Sequence, residues 1–149
     1  MKKWTLCLLI LITAVLAACG STATAEPTAA PPVELVLVAK DIAYDTNRLE
    51  VVAGQPVKLV LHNEGVLEHD FSIMEIPHAG EVAEGEVEEM AGHDMSQMSE
   101  QPEVHVAAPM GGNNTIEFTP SEPGEYEFFC TVSGHKEAGM VGTLVVKAP

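Results

Sequence analysis

An all-β fold, an antiparallel sandwich closed by Greek-key connections, is what the sequence predicts from Val33 onward. Three observations predict it. The apolar residues there come in short runs rich in Val, Ile, Leu and Phe, of strand length and too short for a helical stripe. Several runs alternate: Val57, Leu59 and Leu61 share one parity, Lys58 and His62 the other, which is the period of a strand with one face on a core. Turn formers separate the runs as AGQP, NEG, MGGNN and SEPGE, where Gly, Pro and Asn supply the dihedrals of tight connections. Seven or eight such strands in one domain argue for two packed sheets.

The chain before Val33 has another composition. Lys2 and Lys3 precede an apolar stretch over residues 4–18, and the small-residue pattern LAAC closes it before Gly20. A spanning helix takes ~20 apolar residues with its own flanks; a short run, basic at one side and closed by small residues, is an export leader. LAAC resembles the lipobox of bacterial lipoproteins, and that resemblance implies that Cys19 becomes the lipidated N-terminus after residues 1–18 are removed. The expected location is outside the cytoplasm, held to the cell membrane by several acyl chains, since one chain alone binds only marginally. Residues 20–32, GSTATAEPTAAPP, have linker composition and reach roughly 40 Å if largely extended.

Removing 18 of 149 residues leaves 131, enough for one domain with a core and too few for two. The formal charge of −15 becomes −17 when Lys2 and Lys3 leave with the leader. Such a surface repels nucleic acid and anionic headgroups and attracts basic partners at long range; it also serves the solubility of a tethered protein.

In chain order the expected strands are ELVLVAK, RLEVVAG, PVKLVLHN, HDFSIM, EVHVAAP, NNTIEFTP, GEYEFFC and GTLVVKA, with the domain taken as residues 33–149. One segment does not fit. Residues 76–103 carry eight acidic residues between Glu81 and Glu103, three methionines, and no Lys or Arg. Without strand periodicity, the segment reads as an acidic insertion between two strands, with helix expected around residues 82–90. Its stretch GHDMSQM, with His78, His93, Met90, Met95 and Met98 nearby, suits either a loose second copper site or a solvated lid.

Cysteine usage then raises a question. Cys7 goes with the leader and Cys19 is taken by lipid, so Cys130 alone remains, whereas exported proteins usually pair their cysteines or have none. A lone thiol there needs burial or a metal. In YEFFCTVSGHKEAGM, the parity of Tyr126, Phe128 and Cys130 puts Cys130 at a strand's end, and His135 and Met140 on the loop that follows. Three side chains from one short loop can meet at a point, and the best candidate for a fourth is His69, at the head of HDFSIM. Calcium and magnesium want oxygen ligands, and structural zinc prefers more thiolates and has little use for a thioether. Two imidazoles, one thiolate and a weak axial Met are the blue-copper set. His62, on the polar parity of its strand, reads as a surface residue, and His105 as structural.

These residues resemble the cupredoxins of the small single-domain plastocyanin and azurin type, with the C-x4-H-x4-M spacing closest to auracyanin. The resemblance covers most of residues 33–149. It implies one type 1 copper held by His69, Cys130, His135 and Met140, with His135 nearest the surface. It further implies a monomeric one-electron carrier that passes electrons between redox partner proteins. Met110, Gly111 and Gly112 are the expected part of an apolar patch around the exit. Relatives usually have Asn after the first histidine, where this chain has Asp70, so the bond to Thr131 is expected to differ. Two other functions stay open: copper storage or delivery through the His- and Met-bearing insertion, and a metal-free structural sandwich. An enzyme is not expected, because the chain has no paired HxH motifs, no second cysteine near Cys130 and no evident nucleophile and base pair.

Overall fold

The computed structural model describes residues 31–85 and 99–149. The leader, Cys19, the linker to residue 30, and the part of the insertion that carries Met90, His93, Met95 and Met98 lie outside the described residues. Every run expected to be a strand is one. In chain order they are β1 (Val33–Lys40), β2 (Ala43–Tyr44), β3 (Arg48–Val52), β4 (Val57–Asn63), β5 (His69–Ile73), β6 (Ala83–Glu84), β7 (Val104–Ala108), β8 (Asn113–Phe118), β9 (Gly124–Phe129) and β10 (Val141–Lys147). The two-residue strands β2 and β6 are additions that the sequence does not announce.

The strands form two sheets, one ordered β2-β1-β4-β8-β6 and the other β3-β10-β9-β5-β7. The expected sandwich is therefore present, but its pairing is mixed. β1 lies parallel to β4, with Val33 opposite Val57, and β3 parallel to β10, with Thr143 opposite Arg48. The other neighbours are antiparallel. Neither parallel pair is joined by a hairpin: the chain visits the other sheet through β3 between β1 and β4, and six strands separate β3 from β10. Side-chain alternation reports which residues face inward; it carries no sign for the direction of the partner.

One apolar core fills the space between the sheets, with Leu37, Leu59, Leu61, Phe71, Ile116, Phe128 and Leu144 fully or almost fully buried. At its centre the Phe128 ring lies 5.1 Å from Phe71 and meets Tyr44 edge-on at 5.3 Å. Gly142, opposite Phe128 on β10, leaves room for that ring: a Cβ there falls 2.1 Å from the ring's Cζ.

The insertion's helix expectation is corrected at its start. Ala83–Glu84 is a short strand that pairs with Glu117 and Ile116 of β8, because an edge strand offers unpaired backbone groups that a passing chain can satisfy. The ends of the insertion are clasped together. Glu103 accepts the Ile76 amide through its carboxylate at 2.7 Å and donates its own amide to the Met74 carbonyl at 3.2 Å.

Candidate metal centre

Two separate pieces of chain build the site at one end of the sandwich. The first is the connection from β9 to β10. Cys130 follows β9 directly and is fully buried. The loop after it closes on itself: the His135 amide donates to Val132 O at 3.0 Å, the Met140 amide to His135 O at 2.9 Å, and the Cys130 amide to Met140 O at 3.2 Å. Thus the three potential ligand residues of this loop are tied to one another through the main chain. Gly134 (φ +83°) and Gly139 (φ +101°) take the left-handed conformations that such a compact turn demands, and a side chain at either would be strained.

The second piece is the head of β5, where His69 stands opposite Ala108 of β7. Asn63 holds the approach. Its amide donates to Leu67 O at 2.7 Å and to Ala108 O at 3.0 Å, while its oxygen accepts the Gly65 amide at 2.8 Å. Gly65 lies against the imidazole, so that a Cβ there falls 2.8 Å from His69 Nε2. Backbone without a side chain at this point leaves space for the ring to seat.

His69, Cys130 and His135 converge, and their ligand atoms all lie within 4.8 Å of one another. Cys130 Sγ is 4.0 Å from His69 Nδ1 and 3.5 Å from His135 Nδ1. An ion with bonds of ~2.1 Å to nitrogen and ~2.3 Å to sulfur spans those separations at angles of roughly 105° to 130°. Each sulfur–nitrogen pair is therefore of a size to chelate a first-row transition ion. Met140 is also fully buried, at the point where its main chain bonds to both Cys130 and His135. The donor set thus contains two imidazole nitrogens and a sulfur, with a thioether in the same closed loop, and it offers no oxygen-rich cage for a hard cation.

The electrostatics suit a metal. Burial, and then the charge of His135, hold the His69 imidazole below its ordinary value, so it stays neutral with a lone pair to donate. Burial, and then the negative charge of Asp70, push the Cys130 thiol up to about 12. Without metal the sulfur keeps its proton at neutral pH and resists oxidation, which follows the thiolate; metal binding must displace that proton. Asp70 is itself fully buried. Its oxygens accept the Thr131 amide at 2.9 and 3.0 Å, and one of them accepts the Thr131 hydroxyl at 2.8 Å. The expected link between the residue after His69 and the residue after Cys130 is present, with a carboxylate in place of an amide.

The remaining expectations divide. Met110 is 66% exposed, and Val66 (68%) and Leu67 (50%) join it on the two loops that flank this end. Gly111 and Gly112 form the turn beside Met110, where the Gly112 amide donates to Pro109 O. His62 is half-exposed, 3.9 Å from Glu64. His105, expected to be structural, lies with Nδ1 at 2.8 Å from Ser72 Oγ. His78 lies away from the centre, bridging to Pro120 and bonded to Ile76 O. Sequence reading missed Asn63, Ser72 and Tyr44, whose hydroxyl donates to the Asp70 carbonyl at 2.5 Å. For Asn63 a signal existed: it continues the buried parity of Val57, Leu59 and Leu61, and a polar residue there has to find partners.

Comparison with known proteins gives a consistent picture. The family model for copper-binding proteins of the plastocyanin/azurin family matches residues 32–147. A protein of Rubrivivax gelatinosus named copper-resistant cuproprotein CopI is 32% identical over 114 residues, covering 75% of this chain and 64% of that protein. A protein of the same name from Pseudomonas aeruginosa is 31% identical over 139 residues, covering 77% of this chain and 75% of that protein. Among solved structures, the dithionite-reduced auracyanin of Roseiflexus castenholzii superposes with a TM-score of 0.58 at 23% identity, over 76% of this chain and 95% of that one. Auracyanin A of Chloroflexus aurantiacus gives 0.55 at 22% identity, over 78% and 100%. At those identities the two structures speak for the fold.

Proposed function

The chain belongs to the plastocyanin/azurin family of copper-binding proteins, and from that premise we propose that it is a type 1 blue copper protein that carries single electrons between redox partner proteins. Copper is its cofactor. The observation that carries this reading is the meeting of His69, Cys130 and His135 from two distant segments within 4.8 Å, with Met140 locked into the same loop. A copper ion bound there supplies a one-electron couple between its two oxidation states.

The chain's own residues supply the rest. The bonds of Asn63 and the main-chain ring through Cys130, His135 and Met140 hold the donors in one arrangement, which limits reorganisation when an electron arrives. Cys130 would give a bound copper its covalent path to β9, and the Met140 thioether with the residues around the site would tune its potential. His135 is 5% exposed, at the end where Val66, Leu67 and Met110 present apolar surface, and this is the proposed contact for a partner. The protein acts as a carrier without enzymatic activity of its own, as a monomer. It is tethered outside the cytoplasmic membrane through lipidated Cys19 and makes no use of nucleic acid.

The copper(II)-loaded protein is expected to be intensely coloured by thiolate charge transfer, to be reduced by small inorganic reductants and to be reoxidised by small inorganic oxidants, without losing metal. A colourless adduct contradicts the reading. The names of the two curated relatives favour a second function, copper tolerance, with the insertion storing or passing on the ion. Deletion of residues 81–103 separates the two: a carrier keeps one tight copper and its colour, whereas a storage protein loses stoichiometry or transfer.

A further inference from the structure

Behind the metal centre a polar line crosses two strands. Asp70 Oδ2 lies 3.6 Å from Cys130 Sγ. Asp70 Oδ1 accepts the Ser72 hydroxyl at 2.8 Å, and the same Ser72 oxygen is 2.8 Å from His105 Nδ1. Ser72 and His105 are direct partners in the antiparallel register of β5 and β7, so their side chains share a face. A serine hydroxyl has one proton. If it is given to Asp70, the His105 contact requires Nδ1 to be the donor, which fixes the direction of the whole line: imidazole N–H to serine oxygen, serine O–H to carboxylate. Asp70 and Ser72 are both fully buried, and a carboxylate enclosed in this way is retained only where donors meet it. Here the Thr131 amide and hydroxyl and the Ser72 hydroxyl do so.

We propose that Asp70 is a potential-setting carboxylate, and that Ser72 and His105 are the positioning residues that aim it and moderate its charge. The inference rests on the type 1 reading above. A negative group 3.6 Å from the ligand sulfur stabilises the centre more when the metal carries the extra positive charge, and so favours copper(II) over copper(I). An amide at the same place keeps the shape and the Thr131 contact but lacks the charge. The Ser72 hydroxyl acts in the opposite sense: by donating to Oδ1 it draws charge away from the face turned to the sulfur. Removing Asp70's charge and removing Ser72's donor therefore shift the couple in opposite directions, an outcome that a purely structural role does not produce.

The test is the reduction potential and charge-transfer spectrum of the copper-loaded protein, with copper(I) and copper(II) affinities measured separately. Asp70→Asn is expected to raise the preference for copper(I) over copper(II) about tenfold, equivalent to ~59 mV for a one-electron couple. Ser72→Ala is expected to lower the potential, His105→Leu to follow it, and His105→Gln, which keeps a donor toward Ser72, to restore the parent value. Unchanged potentials in Asp70→Asn, or shifts of the same sign in Asp70→Asn and Ser72→Ala, overturn the proposal while leaving the type 1 reading intact. A parent protein without the charge-transfer band overturns both. If Asp70→Asn does not fold, the Ser72 and His105 variants decide alone: no downward shift in Ser72→Ala, or no difference between the two His105 variants, refutes it.

Discussion

Cys130 combines two demands that conflict in water, protection from oxidation and availability to a metal. Burial and the neighbouring Asp70 raise its thiol from an ordinary 9.0 to about 12, so the metal-free folded state holds a proton that the unfolded state releases. Stability from this source is whole below pH 9 and declines as the pH rises toward 12, by at most ~4 kcal/mol. Tyr44, raised by burial and by the charges of Cys130 and Asp70, contributes with the same sign at higher pH. Denaturant titration of the metal-free protein between pH 8 and pH 11 is expected to show the decline, and Cys130→Ser is expected to show a smaller one. An equal slope in both proteins excludes the thiol as its cause. At this scale the sequence was informative where chemistry is rare: a lone thiol followed by His and Met at equal gaps has few uses. It was silent on Ser72 and Tyr44, whose roles depend on neighbours 33 and 26 residues away.

Strands were legible because alternation records burial directly, as in β4, where Val57, Leu59, Leu61 and Asn63 are buried and the residues between them are not. β5 defeats that logic: all five of its residues are buried, since the outward parity carries Asp70 and Ser72, enclosed by polar contacts. Parallel pairing of β1 with β4 and β3 with β10 was not legible, because it depends on where the chain crosses between sheets. The same limit applies to the extended Ala83–Glu84, whose structure comes from the edge of β8 and not from its own pattern. The tightest element-level constraint is the seat of the Phe128 ring over Gly142. Gly142→Ala is expected to displace that ring from Phe71 and Tyr44 and to cost ~1–3 kcal/mol, the usual cost of overfilling a packed core. Urea unfolding of the metal-free domain measures it; an unaffected midpoint shows that the ring is free to move.

The whole molecule places a partly apolar end, with Met110, Val66 and Leu67 exposed, on a body of formal charge −15. Such a distribution steers cationic partners toward the protein and repels anionic ones, and salt screens both effects over ~10 Å at 0.1 M. Electron exchange with a cationic metal complex is therefore expected to slow as ionic strength rises, and exchange with an anionic complex to quicken; stopped-flow rates over a salt series test this. Matching salt dependences for the two probes contradict steering by the net charge.

The central claim is that His69, Cys130 and His135 hold one copper ion together. Copper-edge X-ray absorption of the loaded protein tests it most directly, because it counts donor atoms around the metal. The account predicts one short thiolate sulfur and two imidazole nitrogens, with the sulfur lost in Cys130→Ser; a shell of nitrogen and oxygen alone in the parent protein contradicts it.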